Sequence, residues 1–364
     1  MSAAPIPVID LTGADEGGAA RDAVARALVE AAVEHGFVYI RNTGLDIPAS
    51  AINGAFDISR KLFQLPTEEK EPCKIQTNNR GWTGMHVETL DPKTQRVGDT
   101  KECVFAFPPK HRAFNFGEFV DGKAQQPLPP SLASDEPQID AFFDLCYRLC
   151  LKLNDLLGIG LEVNPPDFFT AAHRKAAGPS GNTLRLLYYP ARQDTDEDTD
   201  GVRAGAHSDY GSMTLLFRLA GQAGLEINTR DGSWVPVPVL PSGTGVETDA
   251  APPILVNIGD LLSYWTGGLL RSTVHRVIFP PPGVDGANVT PGESTKEPRY
   301  SIAFFCHPAG ASPLSAVPSK RVAEAVAEAK GKGKAIAAPD STIMTADEHL
   351  QMRLRSTYLD LYEK

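Results

Sequence analysis

Three metal-ligand side chains, split between two distant places, constrain this chain more than any other feature. His207 and Asp209 stand with one residue between them, and His275 follows 66 positions after Asp209. In extended backbone, residues two apart point to the same side, so His207 and Asp209 share a face at a strand end. His275 then has to be returned by the fold, and a sheet rolled into a barrel does that. Two imidazoles and one carboxylate are the protein half of a ferrous site that keeps positions open for other ligands. Arg299 and Ser301, also two apart, share a face for the same reason and together suit a carboxylate.

Charge narrows the chemistry. A divalent ion held by two neutral imidazoles and one carboxylate keeps a single positive charge, which favours a further anionic ligand in the open positions. A 2-oxo acid supplies that anion together with a chelating ketone oxygen. Its distal carboxylate needs a fixed cation, for which the planar fork of Arg299 is better suited than a Lys, and the Ser301 hydroxyl donates a further hydrogen bond. A rival ligand pair, His86 and Glu88, lies in a stretch of Gly, Asn and Thr without strand alternation. The surroundings of His207 and His275 are strand-like: residues 184–189, 213–217 and 257–262 all carry apolar runs.

Five ordered elements carry a family resemblance. They are Leu184-Arg185-Leu186-Leu187-Tyr188-Tyr189-Pro190, Ala206-His207-Ser208-Asp209-Tyr210-Gly211, Asn257-Ile258-Gly259-Asp260-Leu261-Leu262, Ser272-Thr273-Val274-His275-Arg276-Val277 and Pro298-Arg299-Tyr300-Ser301-Ile302-Ala303. With Ile6–Leu11 and His35–Ile40 near the start, they resemble the 2-oxoglutarate/Fe(II)-dependent dioxygenases of the isopenicillin N synthase-like branch, over roughly residues 5–318. The resemblance implies a mainly β fold, a double-stranded β-helix (jelly roll) with flanking helices, a helical N-terminal portion and a C-terminal helix. It implies that His207, Asp209 and His275 ligate Fe(II), and that Arg299 and Ser301 bind the distal carboxylate of 2-oxoglutarate with Tyr189 as a further donor. Leu187 stands where plant members often carry Asn. The implied reaction consumes 2-oxoglutarate and O2, releases succinate and CO2, and oxidises a C–H bond of a small molecule, with ascorbate as a candidate reductant. Residues 184–308 look similar to thymine dioxygenases and to oxygenases of secondary metabolism. Substrate contacts sit on variable loops, so both a nucleobase and a polyketide-like aromatic remain open.

Composition agrees. The chain has 364 residues, 42% of them hydrophobic, which is enough for a large core. A net charge of −10 argues against nucleic acid or an anionic membrane as partner. No apolar run approaches the roughly 20 residues that span a bilayer. Five cysteines without zinc spacing, and no signal peptide, point to reduced thiols and a cytoplasmic setting. Cys146 and Cys150, one helical turn apart, read as core. Oligomeric state is left open.

The organisation expected is an N-terminal α/β region over 1–135 that covers the barrel, a long helix and catalytic core over 136–318, and a C-terminal helical segment over 319–364. Within it, helices are expected over Ala19–His35, Pro48–Leu65, Glu136–Leu157 and Ala346–Leu361, and strands near Val8, over Phe37–Ile40 and over Lys101–Phe107. Leu225–Ile227 and Trp234–Val237 read as a hairpin turning at Asp231-Gly232. Thr273, His275 and Val277 should share one face, as should Arg299, Ser301, Ala303 and Phe305. The runs Pro241–Pro253 and Pro280–Pro298 have loop composition and read as surface insertions.

Several residues take a plainer reading. The acids of Asp194–Asp200 lack the distal Glu of a calcium loop, and Gly331–Lys334 lacks phosphate-loop spacing and reads as a connector. His307 belongs to a rim or to packing, and His35, His111, His173 and His349 have no supporting pattern. Trp82, Met85 and His86 are candidates either for substrate contact or for loop packing. Three other functions compete. An oxidase like isopenicillin N synthase or aminocyclopropanecarboxylate oxidase would consume oxygen without forming succinate. A zinc hydrolase would need a general base that does not stand out, and a binding module would have no use for the full ligand set.

Overall fold

The structure is a computed structural model and describes residues 4–83, 112–191, 202–279, 298–331 and 343–357. The chain opens with β1 (Val8–Ile9), a short helix α1 (Thr12–Glu16), the helix α2 (Gly18–Glu34) and β2 (Phe37–Ile40). Next come α3 (Ala49–Gln64), α4 (Thr67–Lys70), β3 (Gly81–Thr83), β4 (Arg112–Phe116), β5 (Phe119–Val120), β6 (Lys123–Ala124) and the long α5 (Glu136–Gly160). Helix α6 (Phe168–His173) leads into β7 (Thr183–Tyr189), β8 (Val202–His207), β9 (Met213–Arg218), β10 (Leu225–Asn228), β11 (Trp234–Pro236) and β12 (Ile254–Ile258). After α7 (Asp260–Trp265) follow β13 (His275–Ile278), β14 (Arg299–Cys306), α8 (Lys320–Gly331) and α9 (Ala346–Thr357).

Two sheets enclose a cavity. The larger runs β1-β2-β12-β9-β14-β7-β4-β3 and the smaller β11-β10-β13-β8, and residues of both line the same space. Apolar side chains on the outer face of the large sheet need cover, and α5 supplies it: Phe142 meets Phe217 at 5.2 Å and Phe143 meets Phe304 at 4.9 Å. Cys146 and Cys150 are buried on the same helix, as core residues. Beside α5 lies α2, and Gly160 permits the approach, because a Cβ there would collide with the Ala25 carbonyl.

Helices α2, α3 and α5 match their expected ranges to within three residues at either end, and β2 is buried throughout. The Leu225–Asn228 and Trp234–Pro236 strands pair antiparallel as expected, with Gly232 at φ 85° in the turn. Residues 66–135 hold strands of the large sheet that the sequence reading did not name. There β4 enters the large sheet beside β7, with Asn115 opposite Arg185, and it is buried on both faces, so its sequence shows no alternation. Helix α8 reaches Gly331, one residue into the supposed connector. Thr273 is a second departure. The strand begins only at His275, its ladder with β8 is irregular after that residue, and the Thr273 hydroxyl donates to the His35 carbonyl (2.8 Å) instead of joining the cavity wall. The run Pro241–Pro253 folds back on the sheet edge, where Arg41 grips Asp249 through two bonds of 2.9 and 2.8 Å. The expected features at Lys101–Phe107, Asp194–Asp200, 280–297, 332–334 and 358–361, and the residues Met85, His86, Glu88 and His111, lie outside the described residues. Among the described residues, no helix is long and apolar enough to cross a membrane.

A buried joint of three histidines ties α6, the end of β14 and α9 together. His173 donates from Nδ1 to the Phe169 carbonyl (2.7 Å), which in the neutral ring leaves Nε2 to accept from the Ser212 hydroxyl (2.8 Å). Burial pushes His173 down to about 4 and His349 to about 4. His307 falls to about 3, through burial and then the neighbouring His173. Each binds a proton on unfolding at pH values between these and the ordinary 6.5, so stability is full above about pH 6.5 and falls as pH drops toward 4. Urea unfolding at about pH 7 and pH 5 should show that loss, up to about 1.4 kcal/mol per pH unit per histidine, and His349→Asn should make it smaller.

The joint between α2 and the His275 strand depends on Gly36. It sits at φ 68°, its carbonyl accepts from Ile258 N (2.9 Å), and a Cβ there would fall against the Arg271 carbonyl and the Thr273 hydroxyl. Gly36→Ala should therefore lower the unfolding free energy by about 3–4 kcal/mol in urea titrations, against about 1–2 kcal/mol for Ala at exposed Gly221, which shares the positive φ (78°) but has open space around it.

Candidate active site

The end of β8 lies beside the start of β13, with His207 directly opposite His275, and the two rings are 4.4 Å apart. Asp209 follows β8 by two residues. The ligand atoms of all three side chains lie within 4.8 Å of one another. Both imidazoles turn Nε2 inward, 3.8 Å (His207) and 3.7 Å (His275) from Asp209 Oδ1. Their Nδ1 atoms are held by main-chain carbonyls, Gly205 at 2.7 Å and Thr273 at 3.1 Å. A carbonyl only accepts, so each Nδ1 carries the proton and each Nε2 presents a lone pair. Phe37 meets the His275 ring edge-on at 5.7 Å, which fixes its plane.

Asp209 is oriented just as firmly. Its Oδ2 accepts from Thr214 Oγ1 (2.6 Å) and Asn257 Nδ2 (2.7 Å), which leaves Oδ1 toward the imidazoles. Burial alone would push this carboxyl up. His275, then His207, and the hydrogen bonds from Thr214 and Asn257 outweigh burial and hold it below the usual carboxylate range. A ready anion and two lone pairs on one point fit a divalent metal, with the supporting bonds that such ligands require.

Arg299, Ser301, Ala303 and Phe305 all line the cavity from β14, as the alternation predicts. Arg299 is buried, its Nη1 reaches Ser301 Oγ at 3.3 Å, and its guanidinium lies 5.2 Å over the ring of Tyr189, its register partner on β7. Burial lowers its pKa to about 10, so it remains a cation at neutral pH. The cation, the hydroxyl and the phenol border the same cavity as His207, Asp209 and His275, a space of ≈ 130 Å³. Leu187 lines it opposite Ser301.

Several lining residues escape a sequence reading. Thr214 and Asn257 lie within quoted strand elements, yet only their contacts reveal their part. Arg185 is 8% exposed and lines the cavity from the β7 face that carries Tyr189. His307 is buried at the cavity wall, outside the metal-ligand cluster. Trp82 is buried in β3 away from the cavity, whereas nearby Asn79 reaches it. Leu350 and Leu354 come from α9, far along the chain.

Comparisons with known proteins agree with this geometry. The family model for the non-haem dioxygenase in morphine synthesis N-terminal region matches residues 6–125, and that for the 2OG-Fe(II) oxygenase superfamily matches residues 180–308. The UPF0676 protein of Schizosaccharomyces pombe is 34% identical over 98% of this chain and 94% of its own. The 2-oxoglutarate-dependent dioxygenase gloF of Glarea lozoyensis is 30% identical over 75% of this chain and 78% of its own. Among solved structures, thymine-7-hydroxylase of Neurospora crassa, in complex with alpha-KG and thymine, superimposes with a TM-score of 0.71 at 26% identity, covering 96% of each chain. The chain is a member of the 2-oxoglutarate- and Fe(II)-dependent oxygenases.

Proposed function

We propose that His207, Asp209 and His275 hold the ferrous ion, that Arg299, Ser301 and Tyr189 hold the distal carboxylate of 2-oxoglutarate, and that this oxygenase acts on a small molecule of specialised metabolism in the cytoplasm. The observation that carries the reading is the convergence of His207 Nε2, His275 Nε2 and Asp209 Oδ1 at one point of a cavity that also contains the Arg299 clamp. Similarity to fungal oxygenases supports the metabolic setting, and the buried free thiols of Cys73, Cys146, Cys150 and Cys306 suit a reducing compartment. The thymine bound by the Neurospora relative supports a compact ring as one substrate type.

When bound, Fe(II) with 2-oxoglutarate and O2 supplies the oxidising power, with succinate and CO2 as by-products. The protein's residues do the positioning. The Gly205 and Thr273 carbonyls keep protons on Nδ1, so His207 and His275 offer Nε2 to the metal position. Thr214 and Asn257 hold one oxygen of Asp209 and leave the other toward the metal position. Arg299 and Ser301 fix one end of the diacid, which places its keto-acid end by geometry instead of by diffusion. Leu187, Leu216, Leu225 and Val277 give the cavity apolar walls and limit water.

Two expectations test this reading, and the second separates it from an oxidase that does not use 2-oxoglutarate. His207→Ala or Asp209→Ala should weaken Fe(II) binding roughly 100-fold or more and abolish turnover, as followed by metal titration and succinate release. Arg299→Ala should raise the 2-oxoglutarate concentration for half-maximal turnover roughly 10–100-fold with little change in the Fe(II) requirement. An unchanged 2-oxoglutarate requirement, or oxygen uptake without succinate, would support the oxidase. Screening candidate compounds for substrate-dependent succinate release then identifies what is oxidised.

A further inference from the structure

We propose that the C-terminal helix α9 is a specificity element of this oxygenase: Arg353 latches it to Asp260, and Leu350 and Leu354 then form an apolar wall of the substrate chamber. The inference deepens the function proposed above and rests on it.

The helix is built to dock. Thr345 and Glu348 form a reciprocal cap, with Thr345 N donating to Glu348 Oε2 (2.8 Å) and Glu348 N to Thr345 Oγ1 (3.3 Å). Just ahead of it, Leu314 N donates to Met344 O (2.8 Å), while Ala346 N and Asp347 N donate to Ser312 O and Gly310 O (3.0 Å each). The start of α9 is thereby tied to the segment that follows β14. Leu350 and Leu354, four apart on one helical face, turn toward the cavity. Leu354 is 2% exposed and packs with Ile75, and Leu350 and Tyr210 join the same small cluster. One face of α9 therefore spans from the segment before β3 to the loop that carries Asp209.

The second attachment is electrostatic. Arg353 Nη2 lies 2.7 Å from Asp260 Oδ2, and its guanidinium sits 5.0 Å over the Tyr210 ring. Asp260 is a shared anchor. Its carboxylate also accepts from Ser208 Oγ (2.9 Å), between His207 and Asp209, and from Ser272 Oγ (2.6 Å), three residues before His275. Its own N–H donates to Asp209 O (2.7 Å). The latch that seats the apolar wall is thus bonded to both chain segments that bring in the metal-ligand side chains. Arg353 and Asp260 are positioning residues, and the chemistry implied for the substrate is an apolar face of a few carbons directed at Leu350 and Leu354.

The test uses the full chain saturated with 2-oxoglutarate, with Zn(II) standing in for the redox-active metal, and indole as an apolar probe of ring size. Indole should bind the parent protein. Leu354→Gln and Arg353→Met should each weaken it about tenfold or more, while 2-oxoglutarate affinity stays within about twofold. Amide exchange in Arg353→Met should rise across residues 346–355 and also at 208–210 and 272–275, and Arg353→Lys should restore part of the protection. A purely structural latch would loosen α9 and leave indole affinity unchanged, which overturns the proposal. So would failure of indole to bind the 2-oxoglutarate-loaded parent, or equal affinity in Leu354→Gln, a variant that retains the latch and so tests the wall by itself. Failure of the parent to bind 2-oxoglutarate would instead overturn the function on which the proposal rests.

Discussion

The divided duty of one carboxylate organises this protein. Asp209 is buried between two imidazoles, where a charged group is costly unless every lone pair is used. Thr214 and Asn257, from two neighbouring strands of the large sheet, take one oxygen. His207 and His275, from paired strands of the small sheet, face the other. The carboxylate therefore bridges the two sheets at the point where a metal makes best use of it, and its charge is kept by those same neighbours.

From that point the other features follow in order of distance. The paired strands β8 and β13 place the imidazoles side by side, tilted by 54°, and the main-chain carbonyls beside them decide the tautomer. Strands β14 and β7 place Arg299 over Tyr189, where burial lowers the guanidinium's pKa without discharging it. The large sheet is in turn supported by α5, whose phenylalanines pack on β9 and β14, and by α2, whose end at His35 is bonded to the segment before His275. Packing remote from the cavity thus bears directly on ligand geometry.

Asp260 extends the same logic to the C-terminal end. As the first residue of α7 it accepts from Ser208 and Ser272 and meets Arg353, so one carboxylate is common to the segments that carry His207, Asp209 and His275 and to α9. Local spacing gives no hint of this, because Arg353 lies 93 positions beyond Asp260 in an ordinary amphipathic helix.

Much of the chemistry was nonetheless legible before folding. His207 with Asp209 and Arg299 with Ser301 are two-residue spacings, and extended backbone converts such spacings into shared faces whatever the wider topology. Helices α2, α3 and α5 were equally readable from their apolar periodicity. The sequence by itself determined which metal- and anion-binding residue types are present and which of them share a face. What tertiary structure alone decided were the contacts without a local period: β4 inserted beside β7, Thr273 diverted from the cavity to the His35 carbonyl, Arg185 brought to the cavity wall, and α9 latched against Tyr210. Each depends on a neighbour tens to hundreds of residues away, and only the packing of the two sheets and their helices selects that neighbour.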